Sequence, residues 1–194
     1  MNTSNYYTLN PEVNLLVLKH GFRRRFRALK SLEKHLHYWR ILDIDWPPAI
    51  DFMESIYNHI GEGILHQNRP VIWSVVDKTM TEYTDAVQNV NGDRKLNDFY
   101  RFAVIINATI SNAVKLLSVN ISDESGNVWN LLSDKTPCEV LNTHDQLTTT
   151  PLTSDQIIEA RRILLNLLEE RYLGILRDTR HENNIAAGTL PRLF

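Results

Sequence analysis

The stretch from Thr153 to Asn184, TSDQIIEARRILLNLLEERYLGILRDTRHENN, constrains the fold more than any other part of the chain. Thr153 and Gln156 have the spacing of a capping box, in which two side chains satisfy the free amides of a first helical turn. Behind that start, Ile157, Ile158, Leu164, Leu165, Leu168, Tyr172, Ile175 and Leu176 recur at the three-and-four spacing of one buried helix face. A face of this kind must be covered by other elements of similar pattern.

Such elements precede it. Asn10-Pro11 reads as N-cap and first helical position, opening a helix to about Trp39 with Leu15, Leu18, Phe22, Phe26, Leu29, Leu32, Leu36 and Trp39 on its stripe. A second helix is predicted from Pro48 to Gln67, with Met53, Ile56, Tyr57, Ile60 and Ile64 inward. A third runs from Pro70 to about Val90 and stops at Asn91-Gly92-Asp93. The fourth, Leu96 to Val119, has so broad an apolar face that it reads as the central helix. Residues 120–152 break the pattern with Ser, Asn, Thr, Gly126, Pro137 and Pro151, leaving one short helix expected near Val128 to Ser133. The predicted architecture is therefore all-α: a five-helix, up-and-down-like bundle with one long irregular connection at about 120–152. Residues 1–10 read as a flexible arm, 11–185 as a single domain and 186–194 as a C-terminal tail.

At 194 residues with 43% hydrophobic and 23% charged content, the chain suits one globular domain. No apolar run approaches the roughly twenty residues of a membrane span, and MNTSNYYTLN does not have the form of a signal peptide. A single cysteine, Cys138, cannot form an internal disulfide, and a cytoplasmic location is expected. With no histidine beside it, Cys138 reads as a small apolar filler. His59, Glu62 and His66 share a face if their helix is continuous, yet the order differs from the zinc-protease helix and reads as satisfied or exposed histidines. No metal or cofactor is expected.

Charge is unevenly spread. Between Lys19 and Arg40 there are eight basic residues (Lys19, Arg23, Arg24, Arg25, Arg27, Lys30, Lys34, Arg40) against Glu33, or +7; the remaining 13 basic and 22 acidic residues give -9, and the sum is the net -2. Two readings of this run stay open: a solvated basic face whose long stems cover apolar edges, and a contact surface for nucleic acid or an acidic partner. On the second, Arg23, Arg24, Arg25, Arg27 and Lys30 are the candidate RNA-binding residues.

Arg177 and His181 lie one turn apart, about 140 to 160° from the apolar centre of the last helix. A five-helix bundle ending in Arg177, Asp178 and His181, within RDTRHEN, resembles the HEPN superfamily of prokaryotic toxins, antiviral effectors and RNA-binding relatives, with a spacing one residue shorter than usual. The resemblance implies a dimeric, metal-independent endoribonuclease of a toxin or phage-defence system. In it Arg177 would hold phosphate, His181 would move the proton, and Glu170, Asp178 and Asn184 would orient them. It also implies a homodimer, RNA as substrate, and an antitoxin or other protein partner. The alternative is a catalytically silent helical module that binds protein or nucleic acid through the basic first helix.

Overall fold

The computed structural model describes residues 7–10, 22, 47–88, 98–142 and 147–168. In chain order these form β1 (Tyr7–Leu9), α1 (Pro47–Ile60), β2 (Ile64–His66), β3 (Arg69–Pro70), α2 (Val71–Gln88), α3 (Asp98–Leu117), β4 (Val119–Ser122), β5 (Val128–Trp129), α4 (Pro137–Val140), β6 (Thr148–Pro151) and α5 (Ser154–Asn166). Phe22 is also helical.

The all-α expectation is overturned. Two three-stranded antiparallel sheets, ordered β1-β2-β3 and β5-β4-β6, stand among the helices, so the fold is mixed α and β and not an up-and-down helical bundle. The HEPN resemblance falls with it, since that family is purely helical.

Each departure has a local cause. The second predicted helix ends at Ile60 and does not reach Gln67, because Gly61 takes φ +70 and its amide closes on Tyr57 O at 2.7 Å. This is the left-handed stop that glycine provides without a Cβ penalty. The chain then turns at Gln67 and Asn68, with φ 53 and 62, the backbone of the tight hairpin turn that matches strand twist. β2 and β3 follow from that turn, with Leu65 opposite Pro70 and His66 opposite Arg69. Tyr7–Leu9, inside the stretch read as an arm, pairs with β2 as the third strand.

The second sheet replaces most of the irregular connection. β4 pairs with β5 locally and with β6 across a long excursion, Asn120 facing Thr150 and Ile121 facing both Thr149 and Trp129. The segment expected to be helical near Val128 begins instead as β5, and the short helix lies later, at Pro137–Val140. Ile121 and Trp129 are cross-strand neighbours and both are fully buried, which places one face of this sheet on the main core. The Trp129 indole donates to Lys135 O at 2.9 Å, so its one polar atom is satisfied.

Asp123 holds the β4–β5 turn. Its carboxylate accepts from the Asn127 amide (2.8 Å), the Asn127 side chain (2.8 Å) and the Asn142 amide beyond α4 (3.0 Å). Burial pushes this carboxyl's pKa up, but the amides of Asn142, Asn127 and Ser125 and the Asn127 side chain outweigh it and hold the value below the usual one. A lowered carboxyl stabilises the fold above its ordinary value and loses that contribution as pH falls through the lowered one. Acid unfolding of Asp123→Asn is therefore expected to be less steep below pH ~4 than that of the unaltered chain, as followed by circular dichroism across a pH series.

The helices meet as their periodicity requires. α3 is buried at residues 102–106, 108–110, 112–114 and 117, and packs on α2 most extensively and on α1 and α5 besides. It is the central element, as its apolar breadth implied. The capping box of α5 is present: the Thr153 amide donates to Gln156 Oε1 (2.9 Å) and the Gln156 amide to Thr153 Oγ1 (3.3 Å). Among the described residues no helix is long and apolar enough to cross a membrane.

Candidate functional site

The residues proposed from sequence for catalysis, Arg177, Asp178 and His181, and their neighbours Glu170 and Asn184, lie outside the described residues. So do Arg23, Arg24, Arg25, Arg27 and Lys30. Phe22, immediately before Arg23, is described, and among the described residues its surroundings form a cluster of aromatic and ionisable groups.

Phe22 is fully buried, its ring stacked on Trp73 (centroids 5.7 Å, planes 8° apart) and tilted against Tyr57 (5.2 Å, 55°). Tyr57 and Trp73 close the triangle at 5.5 Å and 49°. These rings come from different places. Tyr57 belongs to α1, whose inward stripe includes it, and Trp73 to the first turn of α2. Rings at such separations fill the space between one another, so the trio is an anchor and not a cage for a cationic ligand.

Beneath it lies a carboxylate. Glu62 is fully buried and accepts a hydrogen bond from the Tyr57 hydroxyl at 2.7 Å. The residue sits between Gly61 and Gly63 in the tight passage from α1 to β2. Gly63 is required there by contact: a Cβ at this position would lie 2.1 Å from Cys138 Sγ, with Leu9 and the Cys138 Cβ at an ordinary 3.7 Å. Cys138 thus fills the space beside a bare backbone. Burial, and then the charge of Glu139, push its thiol pKa up, which disfavours the nucleophilic thiolate. Gly63→Ala is expected to cost about 1–3 kcal/mol through this overlap. In a Cys138→Ala background the same change should be nearly neutral, so a double-mutant cycle by urea denaturation would show a coupling of about 1–3 kcal/mol.

His59, Glu62 and His66 do not assemble as a metal site. Their shared face existed only on a helix continuing to Gln67, and the helix stops at Ile60. His59 Nε2 is 3.1 Å from Leu131 O, Glu62 is bonded to Tyr57, and His66 packs on the Tyr7 ring at 5.2 Å with its Nε2 buried and without a hydrogen-bond partner among the described residues. Among the described residues no group of three His, Cys, Asp or Glu side chains is placed to hold a metal ion. His59 and Glu62 act as ties, the first joining α1 to the β5–α4 connection and the second closing the turn below the aromatic trio.

Sequence reasoning had already put Phe22 and Tyr57 on inward stripes. It passed over Trp73, whose place three residues before Val76 and seven before Met80 was the available signal, and it read Glu62 on a helix face with His59 and His66 although the flanking glycines marked a close approach. No protein-family model matches the chain, and no curated protein or solved structure matches it either. The endoribonuclease, toxin and antiviral reading rested on a helical HEPN bundle, and the mixed fold removes that support.

Proposed function

We propose that this chain is an RNA-binding protein that grips the phosphate backbone through Arg23, Arg24, Arg25, Arg27 and Lys30, as an α and β protein and without a cleavage step. The observation that carries the reading is Phe22. Its ring is locked against Tyr57 and Trp73 and lies within the Lys19 to Arg40 sequence segment with a charge of +7, just before Arg23, Arg24 and Arg25. A cationic segment that starts from a fixed point in a rigid core needs less ordering on binding than a free tail, and so retains more of its electrostatic attraction as affinity.

The chemistry of the segment supports phosphate as the target. Five of its eight basic residues are arginine, whose planar fork pairs bidentately with phosphate oxygens. The rest of the chain carries -9, which disfavours wrapping RNA elsewhere and confines the attraction to this segment. Binding of this type is largely independent of sequence, because phosphate contacts position a protein without reading bases.

The test is fluorescence anisotropy with a labelled single-stranded oligouridine. Reversing Arg23, Arg24 and Arg25 to glutamate should weaken binding on the order of 100-fold at low salt. A control reversing the exposed Lys78, Lys115 and Lys135 makes the same change in net charge on the folded body and should weaken it far less. Equal losses in both variants, or tight binding by neither protein nor variants, would sink the proposal.

A further inference from the structure

The outer face of α5 differs from what its sequence period implied. Ile158, placed by the periodicity on the buried stripe, is 66% exposed, while Ala160 and Leu164 are buried on the other side and Leu165, two turns on along the same side, is covered by the chain's own core. Around it the charges are arranged in a particular order. Asp155 and Arg161 are both exposed and lie three residues before and three after Ile158, and Ser154 and Arg162 lie four before and four after. Arg162 is paired with Glu159 on its own helix at 2.8 Å, whereas neither Asp155 nor Arg161 has an ion-pair partner among the described residues.

Residues three and four apart form adjacent ridges on a helix, so these five side chains share one face. The row is self-complementary. A second α5 laid antiparallel, with a two-fold axis at Ile158, brings Ile158 against its own copy and sets Asp155 opposite Arg161 of the copy, and Arg161 opposite Asp155, at both ends. Parallel docking would instead oppose like charges. An isologous contact of this kind satisfies both unpaired charges and covers the exposed isoleucine in one step.

We infer that α5 is a self-pairing surface on which a second copy of this chain docks antiparallel, centred on Ile158. The inference does not rest on RNA binding. So short a seam falls below the area of a standard stable interface, so the association is weak, with a dissociation constant in the micromolar-to-millimolar range. The β6 edge is a poor rival. β6 ends its sheet but carries Pro151, and Leu152 turns its amide inward to Ser118 O, which leaves Thr149 to offer the outward amide of that strand.

Sedimentation velocity over a concentration series tests it. The unaltered chain should pass from monomer to dimer as concentration rises. Ile158→Glu should weaken the dimer at least tenfold with an unchanged melting temperature, since the side chain is already in water. Arg161→Asp should weaken it as well, and the swap Asp155→Arg with Arg161→Asp should restore it. A chain that stays monomeric at about 1 mM, a dimer indifferent to Ile158→Glu, or a charge swap that fails to rescue the single variant would each overturn the inference. The swap arm decides the matter even where Ile158→Glu perturbs folding.

Discussion

Trp129→Ala is expected to destabilise the chain by about 3–5 kcal/mol, the range for removing a fully buried tryptophan. The side chain is the largest of those with essentially no exposure, faces Ile121 across the β4–β5 pair, and joins the second sheet to the core formed by α1, α2, α3 and α5. Two effects add in this loss. The indole leaves a void that neighbours on two short strands can close only in part, and Lys135 O loses its donor in a half-buried loop. Trp129→Phe separates them, because it keeps most of the volume and removes the N–H; a loss of about 1 kcal/mol is expected there. Urea denaturation measures both. An alanine variant within about 1 kcal/mol of the unaltered chain would show that the second sheet is not part of the cooperative core.

Phe22→Ala is the second large effect, and it joins fold to function. The ring is fully buried in contact with Tyr57 and Trp73, so about 3–5 kcal/mol of stability is expected to go with it. An ordinary domain has about 5–15 kcal/mol, so affinity is read at low temperature and referred to the folded fraction that circular dichroism reports. No charge changes, yet RNA affinity should fall roughly tenfold, because the basic segment loses its fixed starting point and more ordering is needed on binding. Phe22→Leu retains an apolar plug and should recover most of both quantities. Stability lost with affinity intact would mean that the anchor serves the core and not the binding segment.

How much of this was legible in the sequence depended on the length over which a pattern persists. α2, α3 and α5 each span three turns or more, and their apolar spacing and the Thr153–Gln156 cap disclosed them. The strands contain two to four residues each, too short for a period of two to show. The hairpin turn at Gln67-Asn68 has no glycine, so the usual Asn-Gly mark was absent, and only the observed left-handed φ values disclose it. The pairing of β4 with β6 is settled by tertiary contact, since nothing local brings Asn120 to Thr150.

The site followed the same rule. Phe22 and Tyr57 were readable because they lay on helical stripes. Glu62 and His66 were misplaced because a helical face was projected past Gly61, where the helix had ended. Ile158 was misassigned for a related reason: α5 is covered on one side, and the buried set Ala160, Leu164 and Leu165 centres its inward face away from Ile158. The HEPN resemblance drew on a heptapeptide at 177–183 and an assumed bundle, and two sheets contradict the bundle.

The salt dependence of RNA binding tests the central claim most directly. Each phosphate neutralised on a single strand contributes about -0.7 to the slope of log K against log salt, so the five named cations should give a slope of roughly -3.5. Reversing Arg23, Arg24 and Arg25 should leave a slope of roughly -1.4 from Arg27 and Lys30. A slope near zero in the unaltered chain, or one that the triple reversal leaves unchanged, would contradict the account.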